Sequence, residues 1–265
     1  MKSMNILLAG LSVLMACSGT QTNDPWGQID REEASKQSKV ESSSLWSTHM
    51  RRQMTYTVWL PREYDESKTY PFLYLLHGYE FSGNTDNLDL GWINSGNAAK
   101  VADEYQKNGG VPMVIVMPNG LNSFYQGDYE TYFHEELMPL VEEKYHHNGK
   151  RAIAGLSMGG YGTLYHALKY PAKFMYAYAM SPAVQDVHTI LLNAVSDVSV
   201  LPGFTIEVGT EDRVVDNAQA KSLYRKLEQK GADCEWIERT GTHDWVFWKE
   251  CLPKTLQKAG QSFGK

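Results

Sequence analysis

Residues 151–160, with the sequence Arg-Ala-Ile-Ala-Gly-Leu-Ser-Met-Gly-Gly, constrain the fold more than any other stretch of the chain. The apolar residues 152–156 predict a buried strand, and a helix-compatible segment, 161–169, follows almost at once. Between them lies the pattern G-x-S-x-G around Ser157. Such a turn is tight enough to strain the backbone of its serine, and the flanking glycines remove side chains that would collide. The stretch therefore predicts a nucleophile elbow that presents the Ser157 hydroxyl at a helix N-terminus, where negative charge is favoured.

Apolar runs and helical patterns alternate along the rest of the chain. Several runs are apolar throughout, which is typical of strands covered on both faces. The predicted strands are 54–61, 72–77, 112–117, 152–156, 174–180, 204–208 and 234–238, and the predicted helices are 94–107, 129–145, 161–169, 187–195, 216–230 and 244–258. This alternation predicts an α/β fold with a mostly parallel central sheet and helices on both faces. No long insertion follows the elbow, so we expect no large lid.

The first residues have the pattern of an export signal. Lys2 supplies a positive charge, and the apolar stretch 6–16 is too short to span a bilayer. The residues Leu-Met-Ala before Cys17 resemble a bacterial lipobox, in which the signal is cut before the cysteine and that cysteine receives lipid. Residues 1–16 are therefore expected to be a lipoprotein signal peptide. The alternative is an ordinary secretory signal followed by an incidental cysteine.

The residues after Cys17 divide into a polar segment and a folded domain. Residues 17–42 are rich in Ser, Thr, Gln, Asn, Lys and Glu, so they are expected to form a flexible, lipid-attached tether. Residues 43–265 are long enough for one α/β domain. Lipid on Cys17 would hold the protein on a membrane of the bacterial cell envelope. A net charge of −6 and the lack of a basic patch argue against nucleic acid as a partner.

Two cysteines remain in the folded domain, Cys234 and Cys251. In an oxidising compartment they can form a disulfide. Two small buried thiols are the other interpretation, since burial is the common fate of cysteine. The sequence leaves both open.

A serine nucleophile needs a base, an acid that orients the base, and N–H donors for the oxyanion. His243 follows the last predicted strand and precedes the last predicted helix, which is the place and order of the base in an α/β-hydrolase arrangement. The acid is expected after the preceding strand, where Asp212 is the first choice. Glu211, Asp216 and, more remotely, Asp186 are alternatives that also read as helix caps or surface carboxylates.

Backbone amides are the expected oxyanion donors. The residue after the nucleophile, Met158, supplies the first. The second is expected in the loop after an early strand, where Gly78 permits close backbone approach and Tyr79 follows it. The histidines outside strand ends are interpreted as solvated or structural, namely His49, His134, His146, His147, His166 and His188.

Five motifs together are similar to those of the esterase D-like family of α/β-hydrolases. They are YPFLYLLHG, VIVMPNG, EELMPLVEEKY, GLSMGGYG and GTHDWVFW, and they span about residues 45–260. That family includes feruloyl esterases, acetyl xylan esterases, tributyrin esterases, S-formylglutathione hydrolases and mycolyltransferases. The resemblance implies an α/β-hydrolase catalytic domain.

The resemblance also implies a role for each candidate residue. Ser157 would be the nucleophile, His243 the base and Asp212 the acid, while the amides of Tyr79 and Met158 would bind the oxyanion. No metal and no cofactor are expected. The implied activity is that of a serine carboxylesterase working through an acyl-enzyme.

The substrate favoured by the resemblance is a feruloyl or acetyl ester on plant cell-wall polysaccharide. Alternatives are a general short-chain acyl esterase, an acyltransferase of the same family, and a non-catalytic glycan-binding lipoprotein. Aromatic side chains near strand ends are candidates to stack on a hydroxycinnamoyl ring or a sugar, although each also suits ordinary packing: Phe81, Trp92, Phe124, Tyr125 and Trp245.

Overall fold

The computed structural model describes residues 36–264, in which eight strands form one sheet with the order β1-β2-β4-β3-β5-β6-β7-β8. The strands are β1 (Lys39–Ser47), β2 (Arg52–Leu60), β3 (Tyr70–Leu76), β4 (Val114–Pro118), β5 (His147–Leu156), β6 (Tyr176–Met180), β7 (Gly203–Gly209) and β8 (Cys234–Arg239). Strand β2 pairs antiparallel with β1 and β4, and every pair from β4 to β8 is parallel. The predicted α/β class with a mostly parallel sheet is confirmed.

Helices fill the connections between the parallel strands. They are α1 (Gly91–Asn94), α2 (Ala98–Lys107), α3 (Asp128–Tyr132), α4 (Met138–Lys144), α5 (Met158–Lys169), α6 (Asp186–Ala194), α7 (Asn217–Lys230) and α8 (Trp245–Phe263). A π-helical turn, Phe133–Leu137, joins α3 to α4. The connection after β6 reaches α6 within five residues, and no large lid is present in the described part of the chain.

Side chains from β3 alternate between two cores, one on each face of the sheet. Phe72, Tyr74 and Leu76 belong to the core that α3 to α7 cover, whereas Leu73 and Leu75 belong to the core under α2 and α8. All five are fully buried. A strand buried on both faces has no polar side to offer, which explains why its sequence is continuously apolar.

Strand β1 was not predicted, and it corrects the boundary of the tether. The tether was expected to run to residue 42, but β1 starts at Lys39 and pairs with β2 along its whole length. The strand was missed because its serines are not typical of a buried strand, whereas an edge strand tolerates polar side chains. Ser42 Oγ lies 3.2 Å from Thr57 Oγ1 on β2, within hydrogen-bonding distance. The predicted signal peptide, Cys17 and most of the predicted tether lie outside the described residues.

The two domain cysteines are free thiols. Cys251 is fully buried on α8, where its thiol donates to the Phe247 carbonyl at 3.3 Å, and Cys234 is partly buried on β8. Burial raises the pKa of the Cys234 thiol to about 12, which makes it a poor nucleophile. Of the two interpretations left open by the sequence, the structure therefore has two separate thiols, Cys251 buried and Cys234 partly buried. No helix in residues 36–264 is both long and apolar enough to cross a bilayer.

Candidate active site

Ser157 lies at the turn between β5 and α5, and its backbone has the strain that the sequence predicts. Its φ and ψ are 53° and −115°, a conformation that non-glycine residues rarely adopt. The turn also brings Gly159 against the end of β3, where a Cβ on that glycine would lie 2.5 Å from the Leu76 carbonyl oxygen. The turn therefore tolerates no side chain there, and it holds Ser157 at the C-terminal edge of the sheet, where ligands bind in parallel α/β folds.

His243 connects Ser157 to Asp212 through two hydrogen bonds. His243 Nε2 lies 2.8 Å from Ser157 Oγ, and His243 Nδ1 lies 2.7 Å from Asp212 Oδ2. The three side chains come from the ends of β5, β7 and β8, so the sheet brings together residues that are 86 positions apart in sequence. With Nδ1–H donating to the carboxylate, Nε2 is left free to accept the serine proton.

Asp212 is held as a carboxylate facing His243. Its side chain is fully buried, and its second oxygen, Oδ1, accepts the amides of Val214 at 2.9 Å and Val215 at 3.3 Å. Burial alone would raise the pKa of the Asp212 carboxyl, but the hydrogen bonds from His243 and the two amides outweigh it and lower the pKa below its usual value. Asp212 therefore stays ionised across the neutral range.

The alternative acids lie elsewhere. Asp216 caps α7 by accepting the Ala218 amide at 2.9 Å, while Glu211 and Asp186 are exposed. None of the six histidines interpreted as solvated or structural, all within residues 36–264, lines the cleft around Ser157. His166 is buried against His134, and its Nδ1 lies 3.0 Å from His134 Nε2. His188 takes part in the N-terminal cap of α6.

The backbone amides of Tyr79 and Met158 belong to the two segments next to Ser157. Met158 starts α5, and Tyr79 belongs to the loop after β3 that lines the same cleft as Ser157. Within residues 36–264, neither amide donates to another protein group. Gly78 lies so close to the elbow that a Cβ on it would be 3.4 Å from the Ser157 Cβ. Two N–H groups close to the serine thus have no protein acceptor among residues 36–264.

His77 fixes the start of that loop and remains neutral. Its Nε2 accepts the Gly120 amide at 2.7 Å, so Nδ1 carries the hydrogen that it donates to the Gly78 carbonyl, also at 2.7 Å. Burial lowers the pKa of His77 to about 4. His77 is therefore a structural support of the loop and no acid–base group at neutral pH.

A cleft of about 340 Å³ opens over Ser157 and His243. Its walls include Leu88, Ser95 and Trp248, which were not singled out from the sequence. Trp248 packs edge-on against His243, with ring centroids 4.9 Å apart, and its position three residues after Trp245 on α8 places both on one helix face. A larger depression of about 760 Å³ between α2 and α8 contacts none of the three hydrogen-bonded residues.

The five aromatic candidates for stacking divide into two groups. Phe81 is 79% exposed at the mouth of the cleft and Trp245 lines it, while Phe124 is partly exposed and packs 6.0 Å from Tyr79. Trp92 and Tyr125 were wrong as candidates. Each is at most 1% exposed. Their polar groups are satisfied inside the protein: the Trp92 indole donates to the Leu76 carbonyl at 3.0 Å, and the Tyr125 hydroxyl donates to the His77 carbonyl at 2.9 Å.

The sequence profile of the Esterase family, described as "Putative esterase", matches residues 47–259. The chain belongs to this esterase family. It is therefore a carboxylic ester hydrolase, and the family predicted from the motifs is confirmed.

Two relatives of known activity align with this esterase. It is 25% identical over 237 residues to an acetyl esterase of Caldicellulosiruptor saccharolyticus, with 72% of this chain and 84% of the relative covered. It is 28% identical over 237 residues to an endo-1,4-beta-xylanase/feruloyl esterase of Xylanibacter ruminicola, with 82% of this chain covered. The match spans 31% of that second relative's length.

A solved structure has the same fold over almost its whole length. A ferulic acid esterase superimposes with a TM-score of 0.73 and 28% sequence identity, covering 86% of this chain and 99% of the other. The α/β-hydrolase fold implied by the motifs is thereby confirmed.

Proposed function

We propose that this esterase is a serine carboxylesterase in which Ser157, His243 and Asp212 form the catalytic triad. The observation that carries the proposal is the unbroken hydrogen-bonded chain from Ser157 Oγ through His243 to Asp212, at 2.8 and 2.7 Å. These are distances at which a nucleophile, its base and the orienting acid act together.

The first half-reaction forms an acyl-enzyme. Ser157 Oγ bonds to the ester carbonyl carbon while its proton passes to His243 Nε2. The carbonyl oxygen becomes an oxyanion that accepts the amides of Tyr79 and Met158, each worth about 3 kcal/mol of transition-state stabilisation. The ester C–O bond then breaks, and His243 returns the proton to the departing alcohol.

The second half-reaction reverses these roles with water. His243 takes a proton from water, the hydroxide oxygen bonds to the acyl carbon, and the bond to Ser157 Oγ breaks as the proton returns to the serine. Asp212 stabilises the imidazolium in both halves without taking its proton. The products are a carboxylic acid and an alcohol, and the enzyme is restored.

The substrate we propose is a feruloyl or acetyl ester of a plant cell-wall polysaccharide. Relatives that act as an acetyl esterase and a feruloyl esterase support this choice. The cleft supports it too, since Trp245 and Trp248 form an apolar wall beside Ser157 and Phe81 projects from its mouth. An aryl acyl group gains area and stacking energy against such a wall.

The test is hydrolysis by the wild type and by Ser157→Ala. Wild type should release ferulate or acetate from feruloylated or acetylated arabinoxylan, and p-nitrophenol from p-nitrophenyl acetate. Ser157→Ala should lose at least about 10⁴-fold in kcat on each substrate with an unchanged circular dichroism spectrum. Retained activity in Ser157→Ala would refute the assignment of the nucleophile.

We also propose that lipid on Cys17 anchors the enzyme to a membrane of the cell envelope, because the residues before Cys17 match a lipobox. In a bacterial host that processes lipoproteins, wild type should sediment with membranes. Cys17→Ala should lose the lipid mass and shift to the soluble fraction. Equal membrane association of both proteins would contradict the anchor.

A further inference from the structure

Two loops meet behind the proposed oxyanion site. The oxyanion loop, residues 77–80, follows β3, and the β4 loop, residues 119–127, follows β4. Their strands are neighbours in the sheet, so both loops leave the same edge side by side. Tyr79, whose amide is proposed to bind the oxyanion, lies between the two points at which the β4 loop holds the oxyanion loop.

The first point of attachment is His77. Its ring nitrogen Nε2 accepts the Gly120 amide at 2.7 Å, and its carbonyl oxygen accepts the Tyr125 hydroxyl at 2.9 Å. Both contacts are buried. They fix the chain two residues before Tyr79.

The second point of attachment is the side chain of Asn122. Its Oδ1 accepts the Glu80 amide at 2.8 Å, and its Nδ2 donates to the Glu80 carbonyl at 2.9 Å. One amide side chain thus satisfies both backbone groups of the residue directly after Tyr79, as a neighbouring strand would. The peptide before Glu80 includes the Tyr79 carbonyl, so this pair of bonds restrains the orientation of Tyr79 itself.

The β4 loop holds a strained conformation to make these contacts. Leu121, Phe124 and Tyr125 have φ values of 50°, 52° and 58°, in the left-handed region that side chains disfavour. Three such residues within five positions persist only where the surroundings impose them, and such strain clusters at functional sites. In this backbone conformation the side chains of Asn122 and Tyr125 contact the oxyanion loop.

We propose that Asn122 is a positioning residue of the oxyanion site, which acts through the Glu80 backbone to aim the Tyr79 amide at the oxyanion. The proposal rests on the proposed serine mechanism. Because the oxyanion exists only in the transition state and the tetrahedral intermediate, aiming its donor favours those states over bound substrate. Loss of Asn122 should therefore lower kcat and leave KM nearly unchanged.

The experiment compares Asn122→Ala and Asn122→Leu with wild type on p-nitrophenyl acetate and against a boronic acid inhibitor. A boronic acid forms a tetrahedral adduct on the serine and places an oxygen where the oxyanion would be. Both variants should lose about 10- to 100-fold in kcat with KM within about twofold. The inhibition constant of the boronic acid should rise by a similar factor.

Asn108→Ala is the matched control, since the Asn108 side chain also donates to a backbone carbonyl, that of Glu104 at 2.9 Å, away from the cleft. It should keep wild-type kcat and inhibitor affinity. Asn122→Leu keeps the branched shape of the side chain and fills its space without either hydrogen bond, so recovery of kcat to within about twofold in that variant would show a packing role and overturn the proposal. A fall in kcat with unchanged boronic acid affinity would overturn it as well.

Wild type and Ser157→Ala measured in parallel separate this inference from the proposed function. An inactive wild type, or an active Ser157→Ala, refutes the serine mechanism and with it the role of Asn122. An active wild type, an inactive Ser157→Ala and Asn122 variants with wild-type kcat refute the Asn122 proposal alone.

Discussion

Two residues of the cleft differ sharply in exposure. Ser157 is 8% exposed, as befits a nucleophile kept from bulk water, while Phe81 at the mouth is 79% exposed. Tyr79 lies beside Phe81, with ring centroids 5.1 Å apart, and is 40% exposed. Tyr79 and Phe81 therefore form an exposed aromatic surface at the edge of the cleft. Such a surface is suited to contact the part of a substrate that extends outside the cleft.

Phe81→Ala should weaken binding of large substrates and spare small ones. Loss of the stacking surface should raise KM for a feruloylated arabinose oligosaccharide about three- to tenfold and leave KM for p-nitrophenyl acetate within about twofold. Steady-state kinetics on both substrates measure this. Trp46→Ala removes an aromatic side chain that is 65% exposed and does not line the cleft, so it should change neither KM. An equal effect of Phe81→Ala on both substrates would contradict a role in binding the extended part.

At this scale, side chains tied to strand ends were easier to predict than side chains in loops. Ser157, Asp212 and His243 each follow a strand closely, and the sheet fixes where those strands end. Trp92 lies in the one-turn helix α1 and Tyr125 in the β4 loop, and both segments are too short or irregular for a hydrophobic period to show which side chains are buried. The role of Asn122 was not predicted from the sequence either, since its two hydrogen bonds to Glu80 depend on the strained backbone of the β4 loop.

The elements that carry the base and the acid are joined beneath the cleft by Arg239. From β8, Arg239 Nε pairs with Glu207 on β7 at 2.6 Å, and its other nitrogens bond the Phe247 carbonyl at 2.8 Å and Glu250 at 2.7 Å on α8. The Glu207 side chain is 4% exposed and also accepts the Tyr178 hydroxyl. The guanidinium therefore holds together β7, β8 and α8, and the loops that carry Asp212 and His243 follow β7 and β8.

Arg239→Met should destabilise the fold strongly. It leaves the Glu207 carboxylate buried without its cation, which costs about 3–5 kcal/mol in the free energy of unfolding. Glu250→Gln removes only the charge of the outer partner of the same guanidinium, a side chain that is 63% exposed, and should cost less than about 1 kcal/mol. Urea denaturation of the two variants gives both values. A similar loss of unfolding free energy in both variants would contradict the claim that burial of Glu207 makes its ion pair with Arg239 the stronger one.

The elements themselves were predicted to different degrees. Strands β3 and β4 and the second half of β5 were recognisable as continuous apolar runs, and the long helices α7 and α8 by their 3.6-residue period. The polar first half of β5, residues 147–151, was not predicted. The predicted helix 129–145 contains the π-helical turn Phe133–Leu137, whose i→i+5 hydrogen bonds a 3.6-residue pattern does not predict. Edge strand β1 escaped because half of its side chains face solvent.

Across the whole molecule, several histidines are buried in their neutral form. Burial lowers the pKa of His77 to about 4 and that of His166 to about 3, and it also lowers the pKa of His134. An unfolded chain exposes the same imidazoles with pKa values near 6.5. Below about pH 6.5 the unfolded chain therefore binds protons that the folded chain does not.

The free energy of unfolding should consequently fall as the pH decreases from about 7 to 5. The stabilising effect of neutral burial is complete above pH 6.5 and is lost as the pH falls toward the folded-state values. Each histidine that charges only on unfolding contributes up to about 1.4 kcal/mol per pH unit. The acids with lowered pKa, such as Asp212, contribute only below about pH 5, so the two groups separate on the pH axis.

Urea denaturation at pH 7.5, 6.5, 5.5 and 5.0 measures this dependence. His166→Asn should show a shallower slope than wild type over the lower half of that range, because one proton fewer is taken up on unfolding. His49→Asn is the control, since His49 lies on the surface with its side chain 36% exposed. Constant stability from pH 7.5 to 5.0 would contradict the neutral burial of these histidines.

The central claim, that Ser157 is the nucleophile activated by His243, is tested most directly by peptide mass mapping after reaction with a fluorophosphonate. The account predicts one phosphonylated serine, Ser157, with labelling abolished in Ser157→Ala and slowed at least about 10³-fold in His243→Ala. Labelling at another serine, or undiminished labelling in His243→Ala, would contradict it.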